Sequence, residues 1–224
     1  MQDTKVKTKK PLDFYIEHLI KIACYISFPL ILLFFLTIVM SLTTTGSLNT
    51  NVNNADSFIS VFLTFSLPMV VALAIIPLLI KVAIGKCSLK QLGLAAPSKQ
   101  SIAACLVMSV ASIALATVLS DVEGLNVSAW TVLIHFFFVA IAEEVILRSI
   151  IMDELQHFTA NRLLLCLING AIFAFIYHSS EDVASNLFVR VPLGFALSIV
   201  RMKSNSVYPA VTLHWLYNMF ISTI

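Results

Sequence analysis

Long apolar runs alternate along the chain with short polar stretches, and the runs are of membrane-crossing length. A spanning helix needs about 20 mostly apolar residues. Seven such segments are predicted, roughly Ile22–Leu42, Phe58–Ile84, Ile102–Leu119, Ser128–Ile150, Leu163–Tyr177, Leu187–Val200 and Ser206–Thr223, with the fifth and sixth short. Pro29, Pro68, Pro77, Pro192 and Pro209 fall in or beside these segments, where neighbouring helices can re-satisfy freed backbone groups. The pattern predicts an all-α fold, a polytopic transmembrane helix bundle of about seven spanning helices. It covers residues 1–224 as one integral-membrane domain.

The polar stretches assign the sides, because cytosolic loops carry the excess of Lys and Arg. The N-terminal tail holds Lys5, Lys7, Lys9 and Lys10, so it is expected in the cytosol. The stretch from Gly46 to Asp56 has no basic residue and is expected outside. Lys81, Lys86, Lys90 and Lys99 place the next loop inside, and the loop with Asp121 and Glu123 falls outside. Arg148 and Arg162 flank an inner loop, Ser179–Asp182 forms an acidic outer one, and Arg201 and Lys203 mark a last inner one. All six loops alternate as seven spans require. The tail and first apolar run resemble a signal peptide, but the run is too long for an h-region and no small-residue cleavage site follows. It is read as a retained first span of a multi-pass protein of the cell membrane.

Composition agrees. Of 224 residues, 59% are hydrophobic and 12% charged, against roughly 25% charged in an average soluble domain. A bilayer can accept that much apolar surface, and membrane lipid is the first expected partner. The four cysteines, Cys24, Cys87, Cys105 and Cys166, show no metal-ligand spacing and read as free thiols packed as small hydrophobes. No repeat, phosphate-binding loop or nucleic-acid signature occurs. The loops are too short for a separate catalytic domain, so any chemistry belongs in or near the bilayer.

An ionisable side chain at mid-membrane costs at least ~2.5–3.5 kcal/mol on insertion scales and points to function. The expensive residues are His135, Glu143, Glu144, Arg148, His178, Arg190 and His214, with Asn169 and Asn218 as polar companions. On a helix, Glu144 and Arg148 lie about 40° apart and can neutralise one another, whereas Glu143 lies about 140° from Arg148. That leaves either a structural ion pair beside an interfacial Glu, or Glu143 as a general base poised by burial and a nearby cation. His214 and Asn218, four apart, share a face of the last span. They form either a polar stripe between helices or a pair of donors for a developing oxyanion. His178 ends the fifth span. The remaining histidines, His18 and His157, fall in polar segments near membrane ends, and His135 is placed to snorkel from the outer half of the fourth span. Arg190 is assigned neither to the bundle nor to the surface.

One Glu and two His from three helices fit two chemistries. Glu143, His178 and His214 could hold a divalent metal such as zinc with an open position. Alternatively, Glu143 and His178 activate water without metal while His214 and Asn218 hold the oxyanion. The HExxH zinc-protease signature and a GxSxG elbow are both absent. The drawn topology sets Glu143 in the inner half of its span and His178 at the outer end of the next. For them to meet, the fifth span must begin later than drawn, or the helices must tilt or break.

These residues resemble the motifs of the CPBP family, named for CAAX proteases and bacteriocin-processing enzymes and also called Abi. Glu143-Glu144-Val145-Ile146-Leu147-Arg148 matches EExxxR, and His214-Trp215-Leu216-Tyr217-Asn218 matches HxxxN. Ser206-Val207-Tyr208-Pro209-Ala210 is similar to the family's approach to that last helix. The middle motif, FxxxH, matches at His178 but has Ala174 four places earlier, with Phe173 and Phe175 on either side. The likeness covers the segment from Trp130 to the end, and it implies an intramembrane endopeptidase acting on a peptide or protein near the membrane. In that reading Glu143 acts on water with His178 assisting, Glu144 and Arg148 support the site, and His214 and Asn218 stabilise the tetrahedral intermediate. The metal-free glutamate type is preferred, since Asn is a poor zinc ligand. The small chain looks most like bacterial members associated with bacteriocin self-immunity or peptide maturation. The alternatives are a non-proteolytic immunity or scaffold protein and, since intramembrane carboxylates also serve proton relays, a small transporter.

Overall fold

The computed structural model describes residues 10–48, 52, 55, 57–120 and 128–222. Lys5, Lys7, Lys9, Asp56, Asp121, Glu123 and Thr223, used above to assign sides or bounds, lie outside the described residues. Seven helices account for the predicted segments: α1 Leu12–Thr45, α2 Phe58–Ala83, α3 Lys99–Leu119, α4 Ala129–Leu155, α5 Arg162–Tyr177, α6 Val183–Ser204 and α7 Tyr208–Ile221. Five of the described helices, α1 to α4 and α6, are long and apolar enough to cross a membrane; α5 and α7 are shorter. No strand occurs among the described residues. The chain is a multi-pass, all-helical membrane protein.

The starts of the helices are written in polar residues that apolar counting passes over. Side-chain oxygens of Ser57, Ser98, Ser128, Asn161 and Asp182 accept backbone N–H groups of the first turns of α2 to α6, the usual N-cap arrangement. Asp182 starts α6 at Val183 and brings its length to 22 residues, against the short Leu187–Val200 expected. Asn186 and Arg190 had hidden that first part. Likewise α1 starts ten positions before Ile22, because Glu17, His18 and Lys21 sit on helical turns rather than in a tail. At its far end Gly46 closes α1 in the left-handed region, φ 69°, where glycine carries no steric penalty.

Pro68, Pro77 and Pro192 each follow a short π-helical stretch: Phe62–Ser66, Val71–Ile75 and Asn186–Arg190. A proline inside a helix removes one N–H and crowds the preceding turn. A locally wider turn is one way a membrane helix absorbs that.

Helix α4 runs through the middle of the bundle. Its residues Ile146, Leu147, Ile150 and Ile151 are fully buried in a core shared with Leu73 of α2 and Leu165 and Phe173 of α5. α7 packs against α3 and α4, α5 against α6, and α2 against both α1 and α4. The outer faces carry exposed Ile31, Phe34, Phe35, Val107, Val110 and Phe188, a lipid-facing belt.

One end of the bundle gathers the start of α1, the end of α2, the end of α4 and the α6–α7 turn. There His18 and Lys81 meet Glu154, Gln91 Nε2 donates to Asp153 at 2.9 Å, and Val207 N donates to Gly93 O at 2.9 Å. These are the segments that the basic-residue count put together on one side. Lys81, counted above as a loop charge, lies inside α2 and is 4% exposed. His18, read above as a polar-segment residue, is also buried. His135 does not snorkel. Its Nδ1 lies 2.9 Å from Ser66 Oγ, a link between α4 and α2.

Candidate active site

Glu143 and Glu144 sit near the middle of α4, just before a π-helical stretch over Val145–Ile151. The fourth span continues to Leu155, beyond the Ile150 expected, and α5 begins at Arg162. At ~1.5 Å per residue, Glu143 lies ~18 Å from the end of α4 and His178 ~24 Å from the start of α5. Two antiparallel helices of those reaches bring the residues to a similar depth. The fifth span does not begin later than drawn. It is the longer α4 and the short α5 that let them meet.

Five of the expected residues converge. Glu143 Oε2 is 3.9 Å from His178 Nε2 and 3.8 Å from His214 Nε2. Neither distance is a direct hydrogen bond, and neither Glu143 Oε2 nor His178 Nε2 has a hydrogen-bond partner among the described residues. His214 Nδ1 is 3.0 Å from Glu144 Oε1. That contact directs the ring's other nitrogen to Glu143. Arg148 Nε lies 3.2 Å from Glu144 Oε2, the within-helix pairing expected from the i, i+4 spacing. The Glu143 side chain is 7% exposed and that of His178 27% exposed, so the cluster is approached from the His178 side. Asn218 is half-buried one turn beyond His214, and its side-chain amide makes no hydrogen bond among the described residues.

A frame of polar residues holds this cluster. Arg148 Nη1 donates to Asn169 Oδ1 at 2.8 Å, and Asn169 Nδ2 donates to Leu147 O at 2.8 Å. Ser198 Oγ of α6 reaches the same Asn169 oxygen at 3.1 Å. Asn169 was visible in the sequence as an expensive polar residue without a partner. Ser198 was not, since a lone serine in an apolar run carries no signal.

The incomplete FxxxH motif has a structural reading. The end of α5, Phe173–Tyr177, is π-helical, so residues five apart stack where an α-helix stacks residues four apart. Phe173 is five places before His178. Its ring is 1% exposed and meets the His178 ring edge-on, 4.7 Å between centroids at 76°. The same ring lies 5.6 Å from that of His214 and 5.4 Å from the Arg148 guanidinium carbon. The aromatic support is present, displaced by one residue. Arg190, unassigned from the sequence, pairs with Glu181 at 3.2 Å and bonds Ser185 at the end where His178 lies.

A zinc ion bound at ~2.0–2.2 Å by three donors draws them to within ~4 Å of one another. Among the described residues, one donor atom from each of His18, Glu154 and His157 lies within 4.8 Å of the others, at the end of α4. Glu143, His178 and His214 do not form such a set: both imidazoles are near the carboxylate but not near each other. In this arrangement they do not fit a three-ligand zinc.

No curated protein and no solved structure matches the chain. Residues 125–220 match the family model described as type II CAAX prenyl endopeptidase Rce1-like. That segment contains Glu143, Glu144, Arg148, His178, His214 and Asn218, and over it the chain is similar to the CPBP family.

Proposed function

We propose that the chain is an intramembrane endopeptidase of the metal-free glutamate type. One observation carries this reading: a buried carboxylate oxygen, Glu143 Oε2, faces two imidazole nitrogens at 3.8 and 3.9 Å. Polar groups at that separation are commonly bridged by a water. A water touching all three would be held against a base in a low-dielectric site, where oriented charges act strongly.

The proposed reaction is peptide hydrolysis. Glu143 takes one proton from the water as its oxygen bonds to the scissile carbonyl carbon, and the carbonyl electrons move to oxygen. His178 orients the water. His214, its Nδ1–H held by Glu144, presents Nε2 with its own proton to the oxyanion, and the Asn218 amide adds a second donor after a small rotation. Collapse of the intermediate breaks the C–N bond, and Glu143 returns its proton to the leaving amine. Glu144 and Arg148 position His214 and stay out of the proton path.

The substrate class is a peptide or protein segment at the membrane. The family model's description names CAAX prenyl endopeptidases, which makes prenylated C-terminal peptides the first substrates to try. Our further proposal is a bacterial role in bacteriocin self-immunity or peptide processing. The protein would sit in the cell membrane with its N-terminus in the cytosol. The test is to incubate the protein in proteoliposomes with peptides bearing or lacking a prenylated cysteine and to identify products by mass spectrometry. Discrete cleavage that disappears in His178→Ala and His214→Ala supports the reading. Intact peptides throughout, or proton flux without cleavage, would return the cluster to a scaffold or transport role.

A further inference from the structure

A second polar cluster lies where α1 meets the end of α4. His18 Nδ1 is 2.5 Å from Glu154 Oε2, and both residues are buried, 7% and 2% exposed. His157, in the turn after α4, stacks on His18 with ring centroids 3.9 Å apart and planes at 21°. One donor atom from each of His18, Glu154 and His157 lies within 4.8 Å of the others. The proposed hydrolysis uses none of them.

The surroundings favour a cation. Lys81 bonds the other oxygen of Glu154, Oε1, and also pairs with Asp153 at 2.9 Å. Asp153 is further held by Gln91. Lys81 is shared between two carboxylates, so the three side chains together retain one negative charge. Glu154 is fixed through Oε1, and Oε2 is turned towards the His18 imidazole. A ligating carboxylate held from behind in this way is the usual support of a metal site. Phe14 meets both rings edge-on, at 4.5 Å for His18 and 5.6 Å for His157, and shields them on one side.

We infer that His18, Glu154 and His157 bind a divalent transition metal of the zinc class, with water as fourth ligand, and so clamp the first helix to the helix that carries Glu143. Two histidines and one carboxylate with an open position form a common zinc set. The bound ion replaces the His18–Glu154 hydrogen bond. Coordination at ~2.0–2.2 Å asks for a small inward movement, which the turn carrying His157 can supply.

The test uses the full chain in detergent, freed of metal by chelation and titrated with Co2+ by visible absorbance, with Zn2+ as competitor. One Co2+ per chain is expected, displaced by Zn2+, together with a rise in unfolding temperature. Loss of one ligand in His157→Ala or Glu154→Gln weakens Co2+ binding at least ~10-fold, by analogy with the 10–100-fold effect of removing an outer-shell partner. His157→Asn is the companion variant, chosen to keep the turn polar, and a metal-free unfolding temperature equal to wild type shows that it folds. Glu143→Gln and His178→Ala leave binding unchanged. The inference is overturned by absence of Co2+ binding, or by binding that survives His157→Ala and His157→Asn but is lost in Glu143→Gln. The readout is metal binding, so its failure leaves the endopeptidase reading untouched.

Discussion

A guanidinium sealed from solvent needs fixed partners, and Arg148 has them in Glu144 on its own helix and Asn169 on α5. Removing one member of a buried pair leaves the other charge uncompensated, at a cost of about 3–5 kcal/mol. Arg148→Met is therefore expected to lower the unfolding temperature in detergent as well as abolish cleavage. Arg148→Lys is expected to fail too, since an ammonium cannot reproduce the planar fork that meets Glu144 and Asn169 together. Asn169→Ala leaves Arg148 Nη1 and Ser198 Oγ without their shared acceptor, and a loss of about 1–3 kcal/mol is expected. Unchanged thermal stability in Asn169→Ala would contradict this frame. Within this site, Glu144, Arg148 and their i, i+4 pairing were legible from spacing alone, and Glu143 was legible as the acid left unpaired by it. Ser198 was not legible, and Phe173 was legible only as a motif residue out of place.

At the scale of helices, the crossing of α5 and α6 sets how Asn169 and Ser198 meet. A Cβ on Gly170 would lie 2.9 Å from Val191 O and Phe195 N, and one on Gly194 would lie 2.9 Å from the Gly170 Cα. The two backbones touch at these glycines, as small residues permit between membrane helices. Gly170→Val is expected to push α6 off α5 and cost about 1–3 kcal/mol or more. Thermal unfolding measures that loss, and reduced cleavage accompanies it because His178 follows α5 directly. The helices themselves were largely legible. Apolar runs located all seven, and the errors fall at ends where polar residues continue a helix. Leu12 to Lys21 is helical with His18 held by Glu154, and Val183 to Arg190 with its start capped by Asp182, and hydropathy does not register such partners. The π-helical stretches of α4 and α5 were invisible to any fixed-period reading, yet they decide which residues face the site.

Over the whole molecule, two polar centres lie on one helix, α4: the Glu143 cluster at its middle and the Glu154 cluster at its end. The second joins residues far apart in sequence, and its pairs left no local spacing to read. Lys81 was therefore seen only as a charge marking a side, His18 only as a histidine in a polar segment, and Glu154 not at all. Lys81→Met strands Asp153 and Glu154, and a loss of about 3–5 kcal/mol is expected by the same argument as for Arg148. Equal unfolding temperatures for Lys81→Met and wild type would show that the contact contributes nothing.

The central claim is that Glu143 is the base that activates water, and the most direct measurement compares peptide turnover by wild type and Glu143→Gln in proteoliposomes at matched protein content. Gln keeps the size and polarity of the side chain and cannot accept the proton. The account predicts a fall of about 10²–10⁴-fold with unchanged abundance and unfolding temperature. A Glu143→Gln protein that cleaves at the wild-type rate would contradict it and leave the buried carboxylate a role in helix packing alone.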